Sequence, residues 1–207
     1  EDSAWAGILS ENAELDLVDC TVSGTGSDVN LGGGYGIQVT DGSEEYPPTL
    51  WTDFSMQGCT VTESTLGAVL LRGHGNHSVA DSLLEGGPGT EVVAGQWGYG
   101  DALTVVGGVY GTPEPWDEST GTGLLVEGTT LSDASGSGLF IDQAGATLSG
   151  NTWQDNELDV LWQGCDQGDG PQVEDQTLAT ELCPEFDYWW AWDDPGFGML
   201  EEAEAVF

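Results

Sequence analysis

Apolar and polar residues alternate over short segments of this chain, and turns rich in Gly, Ser, Asn and Asp separate the segments. Residues 123–161 show the pattern most clearly and read GLLVEGTTLSDASGSGLFIDQAGATLSGNTWQDNELDVL. Their pattern recurs after 22 residues, so that Leu124, Val126, Thr129 and Leu131 return as Ala146, Leu148, Asn151 and Trp153. Alternation with a period of two predicts β-strands. Recurrence at about 20 to 25 residues predicts a parallel β-solenoid, in which each coil buries its apolar face against the next.

A strand that usually begins with Gly marks each coil. It is found at residues 7–9, 36–39, 67–70, 100–105, 138–141 and 158–161, and the last two strands start 20 residues apart. The uneven spacing of the earlier strands predicts insertions in loops, because only the strands of a solenoid must keep register. The predicted loops are residues 24–34, 40–50, 86–98 and 107–121.

A second strand in each coil predicts three stacked columns of side chains. The strands align as residues 15–22, 54–61, 77–84, 124–131 and 146–153. One apolar column consists of Leu17, Met56, Val79, Val126 and Leu148, and another of Val22, Val61, Leu84, Leu131 and Trp153. A small polar column lies between them and consists of Cys20, Cys59, Ser82, Thr129 and Asn151. Polar side chains stacked at a coil corner are expected to satisfy one another and the backbone of the turn.

The chain has four Cys, which with so few basic residues fits an oxidising compartment. Cys20 and Cys59 are predicted to lie one coil apart, at the inter-strand spacing of about 4.8 Å, which permits either a disulfide or two stacked buried thiols. Cys165 and Cys183 lie outside the repeat in a segment rich in Gly, Asp and Gln. We expect these two to form a disulfide, which the chain-entropy model values at about 3 kcal/mol.

Acidity is the most unusual bulk property of the chain. It has 37 Asp and Glu against a single Arg and no Lys, which gives a formal charge of -36. Binding to nucleic acid or to an anionic membrane surface releases counterions through Lys and Arg, so neither is an expected partner. Such self-repulsion predicts abundant cations, either a saline habitat or dedicated calcium sites. The sequence has no run of 18 apolar residues, so membrane insertion is not predicted. Residues 1–10 begin with two acids, which predicts a mature or truncated N-terminus rather than a signal peptide.

The repeat pattern is predicted to end after Leu161, which divides the chain into a solenoid at residues 1–164 and a C-terminal cap or tail at residues 165–207. An open last coil exposes strand edges and core, so repeat proteins need a cap. Aromatic side chains are predicted to cover that end: Phe186, Tyr188, Trp189, Trp190 and Trp192. An interface with another subunit or a further domain is the alternative role of this segment.

The Gly-initiated strands, the small-residue corner and the segment LSGNTWQDN at residues 148–156 are similar to the right-handed parallel β-helix (pectin-lyase-like) repeat superfamily of the secreted bacterial type. The resemblance covers about residues 7–161 and implies an all-β, right-handed parallel β-helix of about five coils in an extracellular or cell-surface protein. The superfamily includes pectate lyases, polygalacturonases, alginate-modifying enzymes, phage tailspikes and surface proteins without catalysis. The fold therefore does not choose an activity.

Residues 72–77 contain every Arg and His of the chain, namely Arg72, His74 and His77. The G-H-G at residues 73–75 resembles one polygalacturonase-like motif, but the other motifs of that group, N-T-D, D-D on an adjacent coil and R-I-K, are missing. Pectate-lyase-like enzymes use Arg or Lys as the base beside calcium, and Arg72 is the available candidate. The alternative is a solvated turn between two strands with Arg72 paired to nearby acids.

Acidic turns and aromatic side chains are the remaining candidates for ligand binding. Calcium prefers six to eight oxygen ligands, and the candidate ligands are Asp41, Glu44, Glu45, Asp166 and Asp169. Trp97 and Trp116 lie in the predicted loops, where aromatic faces can stack on sugars. The sequence therefore favours a secreted or cell-surface, non-catalytic structural or adhesive module that binds a polysaccharide, calcium or another surface component. The alternatives are a calcium-assisted polysaccharide lyase or glycoside hydrolase, and a fibre subunit joined through its coil ends or aromatic tail.

Overall fold

A computed structural model of the chain describes residues 6–26, 34–40, 52–73, 75–88, 91–93, 96–97, 100–106, 122–142, 144–163, 172–173 and 180–182. The strands, in chain order, are β1 (Ala6–Glu11), β2 (Leu15–Val18), β3 (Thr21–Ser23), β4 (Tyr35–Thr40), β5 (Phe54–Gln57), β6 (Thr60–Thr62), β7 (Gly67–Arg72), β8 (Asn76–Ala80), β9 (Leu83–Glu85), β10 (Glu91–Val93), β11 (Gln96–Trp97), β12 (Leu103–Val106), β13 (Thr122–Glu127), β14 (Thr130–Ser132), β15 (Ser137–Asp142), β16 (Ala144–Ser149), β17 (Thr152–Gln154), β18 (Leu158–Gln163), β19 (Gln172–Val173) and β20 (Thr180–Leu182).

The described strands form three parallel sheets, as an all-β parallel solenoid requires. Sheet 1 has the order β1-β4-β7-β12-β15-β18-β20, sheet 2 the order β2-β5-β8-β13-β16-β19, and sheet 3 the order β3-β6-β9-β14-β17. Successive strands along the chain belong to different sheets, so each strand pairs with its counterpart from the next circuit of the chain. A separate two-stranded antiparallel ribbon consists of β10 and β11. The described residues contain no helix of the length and apolarity that a membrane crossing needs.

The predicted apolar columns are confirmed by the strand register. Leu17 pairs with Met56, which pairs with Val79, and the same column continues through Val126 to Leu148. The second column runs without a slip from Val22 to Trp153. Side chains in the middle of both columns, such as Val61, Leu84 and Leu131, are fully buried. The 22-residue recurrence therefore corresponds to one circuit of the chain.

The predicted polar column is also present, at the corner between sheets 2 and 3. We call it the corner column; it consists of Cys20, Cys59, Ser82, Thr129 and Asn151. In each pair the backbone N–H of one member donates to the side chain of the next, over 3.2 Å at Cys59 Sγ, 3.1 Å at Ser82 Oγ, 3.4 Å at Thr129 Oγ1 and 3.0 Å at Asn151 Oδ1. A corner that leaves the sheet ladder thus keeps its buried N–H groups satisfied.

The predicted register in sheet 1 was wrong at several strands, including those around β12. Ser137 pairs with Leu158 and Leu139 with Val160, so the last circuit spans 21 residues in this sheet rather than 20. Likewise Tyr35, and not Gly36, pairs with Gly67. The Gly that begins a strand is therefore not a fixed marker of register. The inward-facing apolar residues carry the register, because a one-residue slip would turn the buried set towards solvent.

Parallel pairing continues beyond Leu161, where the sequence was expected to leave the repeat. β19 pairs with β16 through Thr147 and Gln172, and β20 pairs with β18 through Val160 and Thr180. Both strands are short and flanked by residues without apolar alternation, so the period-two pattern is absent there. Parallel pairing thus extends sheets 1 and 2 by one further strand each.

Burial is complete in the middle of the stack and partial in the first layer. Ile37, Phe54, Met56 and Val61 are at most 1% exposed, whereas their counterparts in the preceding layer, Ile8, Leu15, Leu17 and Val22, are only half-buried. Because β1, β2 and β3 are the edge strands of their sheets, this layer is the open end of the described core.

Candidate functional site

The segment with every Arg and His of the chain connects sheet 1 to sheet 2. β7 ends at Arg72, which is half-buried and pairs in register with Thr40 and Val106. β8 begins at Asn76, and His74 lies outside the described residues. The sequence placed residues 72–77 in one turn, but the structure places both ends of the segment in strands.

His77 occupies an inward position of sheet 2 and forms part of what we call the histidine column: Leu15, Phe54, His77, Leu124 and Ala146. Its side chain is 3% exposed. Neither Nδ1 nor Nε2 has a hydrogen-bond partner among the described residues. Burial lowers the pKa of His77 to about 4, although the nearby Asp53 carboxylate acts in the opposite direction. At neutral pH the imidazole is therefore uncharged and enclosed by apolar neighbours.

Gly75 has a packing role that accounts for one residue of the G-H-G motif. A Cβ added to Gly75 would lie 1.9 Å from the carbonyl oxygen of Thr52 and 3.0 Å from Cε1 of His77. The next backbone N–H, that of Asn76, donates to Oδ1 of Asp53 over 2.9 Å. The glycine therefore lets the chain turn tightly against the preceding circuit, which is a structural requirement independent of chemistry.

Arg72 and His77 do not form a common reaction site in this geometry. The imidazole points into the core and is withdrawn from solvent, while Arg72 is at the end of a strand in a different sheet. A general base must come within hydrogen-bond reach of the proton it abstracts, and a ring with 3% exposure cannot reach a substrate bound outside the core. His77 is therefore withdrawn from catalysis in this geometry. The hydrolase or lyase alternative centres on Arg72 and His74, and because His74 lies outside the described residues it stays a prediction.

The two described cysteines, Cys20 and Cys59, are free thiols. Cys59 Sγ accepts the N–H of Cys20 and donates to the carbonyl of Gln57 over 3.5 Å. Burial, followed by the hydrogen bond and charge of Cys59, raises the pKa of the Cys20 thiol to about 12. A thiol that stays protonated at neutral pH is a poor nucleophile and a poor metal ligand, so Cys20 is not a reactive thiol. Cys59 is buried and joins the corner column through its two hydrogen bonds.

Asp101 is a buried carboxyl group that the sequence reasoning missed. It precedes β12 and is 3% exposed. Its Oδ1 accepts the backbone N–H of Ser137 over 2.7 Å and the Ser137 hydroxyl over 2.8 Å, and its Oδ2 accepts the Thr104 hydroxyl over 3.2 Å. Burial raises the pKa of Asp101 to about 6, and the bonds from Ser137 and Thr104 partly offset that rise. An Asp immediately before a strand of mostly apolar residues, 102–106, was the available signal.

Most of the other candidates lie outside the described residues. These are Trp116, Cys165, Cys183, Asp41, Glu44, Glu45, Asp166 and Asp169. The backbone of Trp97 is described and pairs with Glu91 in the β10–β11 ribbon. Within the described part of the chain, no group of three or more His, Cys, Asp or Glu side chains is placed to hold a metal ion. The predicted calcium sites therefore stay predictions.

Fold and register together define the class of this protein as an all-β protein of stacked parallel strands with polar corner residues. No family model matches the chain, and comparison with curated proteins and with solved structures likewise found no match.

Proposed function

We propose that the chain is a secreted or cell-surface right-handed parallel β-helix of about five coils that acts as a non-catalytic structural or adhesive module. Its C-terminal residues 165–207 close one end of the stack as an aromatic-rich cap stapled by Cys165 and Cys183. Polysaccharide or another extracellular surface component is the partner class, with binding through Trp97 and Trp116 in the long loops.

The observation that carries this proposal is the continuity of the stack. The same inward columns and the same corner hydrogen bonds repeat from the first to the last strand of sheet 3. A rod built this way is stabilised by neighbour contacts along its whole length. The outward position at the start of each sheet 3 strand is Thr, with Leu83 as the exception: Thr21, Thr60, Thr130 and Thr152. Such a surface suits a spacer or contact face better than a cleft for chemistry.

An activity screen separates this proposal from the enzyme alternative. Purified full-length protein is incubated with a panel of polyuronates and neutral polysaccharides, with and without CaCl2, and new reducing ends and unsaturated products are measured. We expect no turnover and no difference between wild type, Arg72→Ala and His74→Ala. Turnover that either substitution abolishes would establish the enzyme and overturn the non-catalytic proposal.

A binding assay tests the adhesive part. In affinity electrophoresis through gels containing each polysaccharide, we expect retardation of the wild type by at least one of them. Trp97→Ala and Trp116→Ala should reduce the retardation, whereas Trp190→Ala in the C-terminal segment should not. Retardation that is equal in all four proteins would remove the two loop tryptophans from the proposed contact surface.

Cations are part of the proposal because the formal charge is -36. Thermal unfolding in NaCl and in CaCl2 at matched ionic strength distinguishes the two sources of cations. Equal stabilisation by both salts is expected if diffuse screening suffices, since screening depends on ionic strength. Stabilisation by CaCl2 at millimolar concentration, with NaCl ineffective at that ionic strength, would instead assign dedicated calcium sites.

Self-assembly is a second candidate function, and the open end of the core favours it. Ile8, Leu15, Leu17 and Val22 are half-buried, and they lie in edge strands of all three sheets. Edge strands with an apolar flank pair readily with another chain. Leu17 and Val18 supply a matched pair of variants, because Val18 is the next residue of β2 but faces outward and is 65% exposed.

Light scattering in high salt, where charge repulsion is screened, tests this second candidate. We expect assemblies of the wild type to be lost in Leu17→Lys and kept in Val18→Lys. Removal of residues 184–207 asks whether the aromatic tail takes part as well. A monodisperse wild-type monomer at all salt concentrations would exclude self-assembly through either end.

A further inference from the structure

Among the described residues, no hydrogen-bonding group is placed to stabilise a charged His77 ring. Phe54 and Leu124 pack on either side of it in the histidine column, and its two ring nitrogens have no partner in the described part of the chain. The inward side chains of the nearby strands in the same core cluster are apolar as well: Val69, Leu71, Leu84, Leu103 and Val105. An unpaired imidazolium in such surroundings is strongly unfavourable, so the native fold requires the neutral ring.

The charged groups around His77 lie at the ends of the strands that surround it. Asp53, directly before β5, is the group whose charge favours protonation of the ring. Arg72 ends β7 on the same circuit, Asp81 follows β8 and Glu127 ends β13, each away from the ring's inward position. Burial outweighs the attraction of Asp53. Asp53 is half-buried and accepts the Asn76 N–H, so the carboxylate that favours a charged ring lies at the turn where Gly75 packs against Thr52.

We propose that His77 makes the middle of the stack an acid-sensitive joint: when the imidazole takes a proton it leaves the core towards Asp53, and β8 separates locally from β5 and β13. The close contact of Gly75 with the Thr52 carbonyl breaks in the same movement, because the ring and this turn pack against each other. Acidification then exposes the apolar residues on both sides of His77. The joint responds to acid independently of which surface the module binds.

The sign of the effect follows from the proton uptake of the two states. The closed state keeps His77 neutral down to a pKa of about 4, whereas in the open state the ring titrates near its ordinary value of 6.5. The open state therefore binds more protons between these limits, and lowering the pH through this window favours opening. Acid also neutralises the many carboxylates, so a variant without the imidazole is needed as reference.

His77→Leu is that reference, because Leu already occupies this column position as Leu15 and Leu124. Hydrogen exchange of wild type and variant is compared at the same pH, so that intrinsic exchange rates cancel. From pH 7 to pH 4 we expect exchange of the β5, β8 and β13 amides in the wild type to rise on the order of 100-fold relative to the variant. The ratio of wild-type to variant exchange rates should stay constant for the amides of β16 and β17. An unchanged ratio in β5, β8 and β13 would overturn the proposal.

A second measurement follows the imidazole of the wild type directly and does not depend on the folding of His77→Leu. The chain has two His, so NMR titration of the imidazole C–H signals is simple to assign with His74→Gln. We expect the His77 signal to keep the chemical shift of a neutral imidazole well below pH 6. Asp53→Asn should lower the midpoint of the His77 titration further, because the Asp53 charge favours protonation. A His77 midpoint near 6.5, together with unchanged amide protection, would show a solvated ring and overturn the proposal.

Discussion

Asp101 and His77 are both ionisable, and each is 3% exposed, yet their surroundings differ completely. Asp101 stands where a circuit enters sheet 1, and three hydrogen bonds from Ser137 and Thr104 reach its two oxygens. His77 stands in the middle of an apolar column and receives none from the described residues. Entry points and corners bring unpaired N–H and hydroxyl groups together, whereas the flat part of a sheet offers a side chain only its stacked neighbours.

The same burial gives the two groups opposite effects on stability. The pKa of Asp101 rises from 3.8 to about 6, so the native state holds its proton more strongly than the unfolded chain and loses stability as pH rises through this range. The pKa of His77 falls from 6.5 to about 4, so the native state gains stability as pH rises through a similar range. Between pH 4 and 6 the two slopes oppose each other. The pH dependence of stability that one group contributes can be measured when the other group is replaced.

Asp101→Ala should produce the largest loss of stability. The substitution leaves the Ser137 N–H, the Ser137 hydroxyl and the Thr104 hydroxyl without their acceptor in a buried place. We expect the free energy of unfolding at pH 5 to fall by about 4 kcal/mol. Asp101→Asn keeps an acceptor of the same shape and serves as control. If urea unfolding shows equal losses for Ala and Asn, the hydrogen bonds of Asp101 do not stabilise the fold.

Asp101→Asn should show the pH effect that burial of the carboxyl predicts. Wild type loses stability from pH 4 to pH 8 as the buried group ionises, and the amide does not ionise. We therefore expect the free energy of unfolding of the variant, relative to that of the wild type, to rise by about 3 kcal/mol from pH 4 to pH 8. Urea unfolding at each pH measures this difference. Glu14→Gln, at an exposed acid, controls for the general loss of one negative charge. Parallel pH profiles of wild type and Asp101→Asn would contradict a raised pKa.

The stacked columns were predictable from sequence because each inward position requires an apolar side chain. Val61, Leu84 and Leu131 are confirmed at zero exposure, since a slip by one residue would put them in solvent. The small polar residues of the corner column were predictable for a similar reason. Pairing of β19 and β20 was missed because it rests on backbone hydrogen bonds, which place no demand on side-chain type.

The environments of His77 and Asp101 were not predictable to the same degree. The alignment put His77 level with Leu124, but a His beside Arg72 and His74 is as typical of a polar or catalytic turn as of a core position. Asp101 depends on Ser137 from another circuit, 36 residues away. A partner so distant is fixed only when loops of uneven length have closed, which no local pattern reports.

Thr129→Val tests the corner column, where buried polar groups have hydrogen-bond partners, as the Asp101 carboxyl group does. The hydroxyl of Thr129 accepts the Ser82 N–H and donates to the carbonyl of Glu127, and Val keeps its shape. We expect a loss of about 2 kcal/mol, since a buried N–H is left unpaired. Thr130→Val changes the adjacent, outward and half-buried residue and should cost at most about 0.5 kcal/mol. Equal midpoints of thermal unfolding for the two variants would contradict the role of the column.

The difference between Gly58→Ala and Gly150→Ala should be the smallest effect. It concerns the Asp19 carboxylate, which fits against residue 58 because glycine has no side chain. The residue before each member of the corner column has a positive φ, and these residues are Asp19, Gly58, Asp81, Gly128 and Gly150. A Cβ on Gly58 would meet Oδ1 of Asp19 at 2.6 Å, whereas on Gly150 the nearest atom is a backbone nitrogen at 3.9 Å. Both Ala variants adopt a left-handed backbone at similar cost, so the contact alone separates them. We expect Gly58→Ala to be less stable than Gly150→Ala by about 1 kcal/mol, and Asp19→Gly to recover that difference in the double variant. If Gly150→Ala is equally costly, the strain is in the backbone and the carboxylate is not involved.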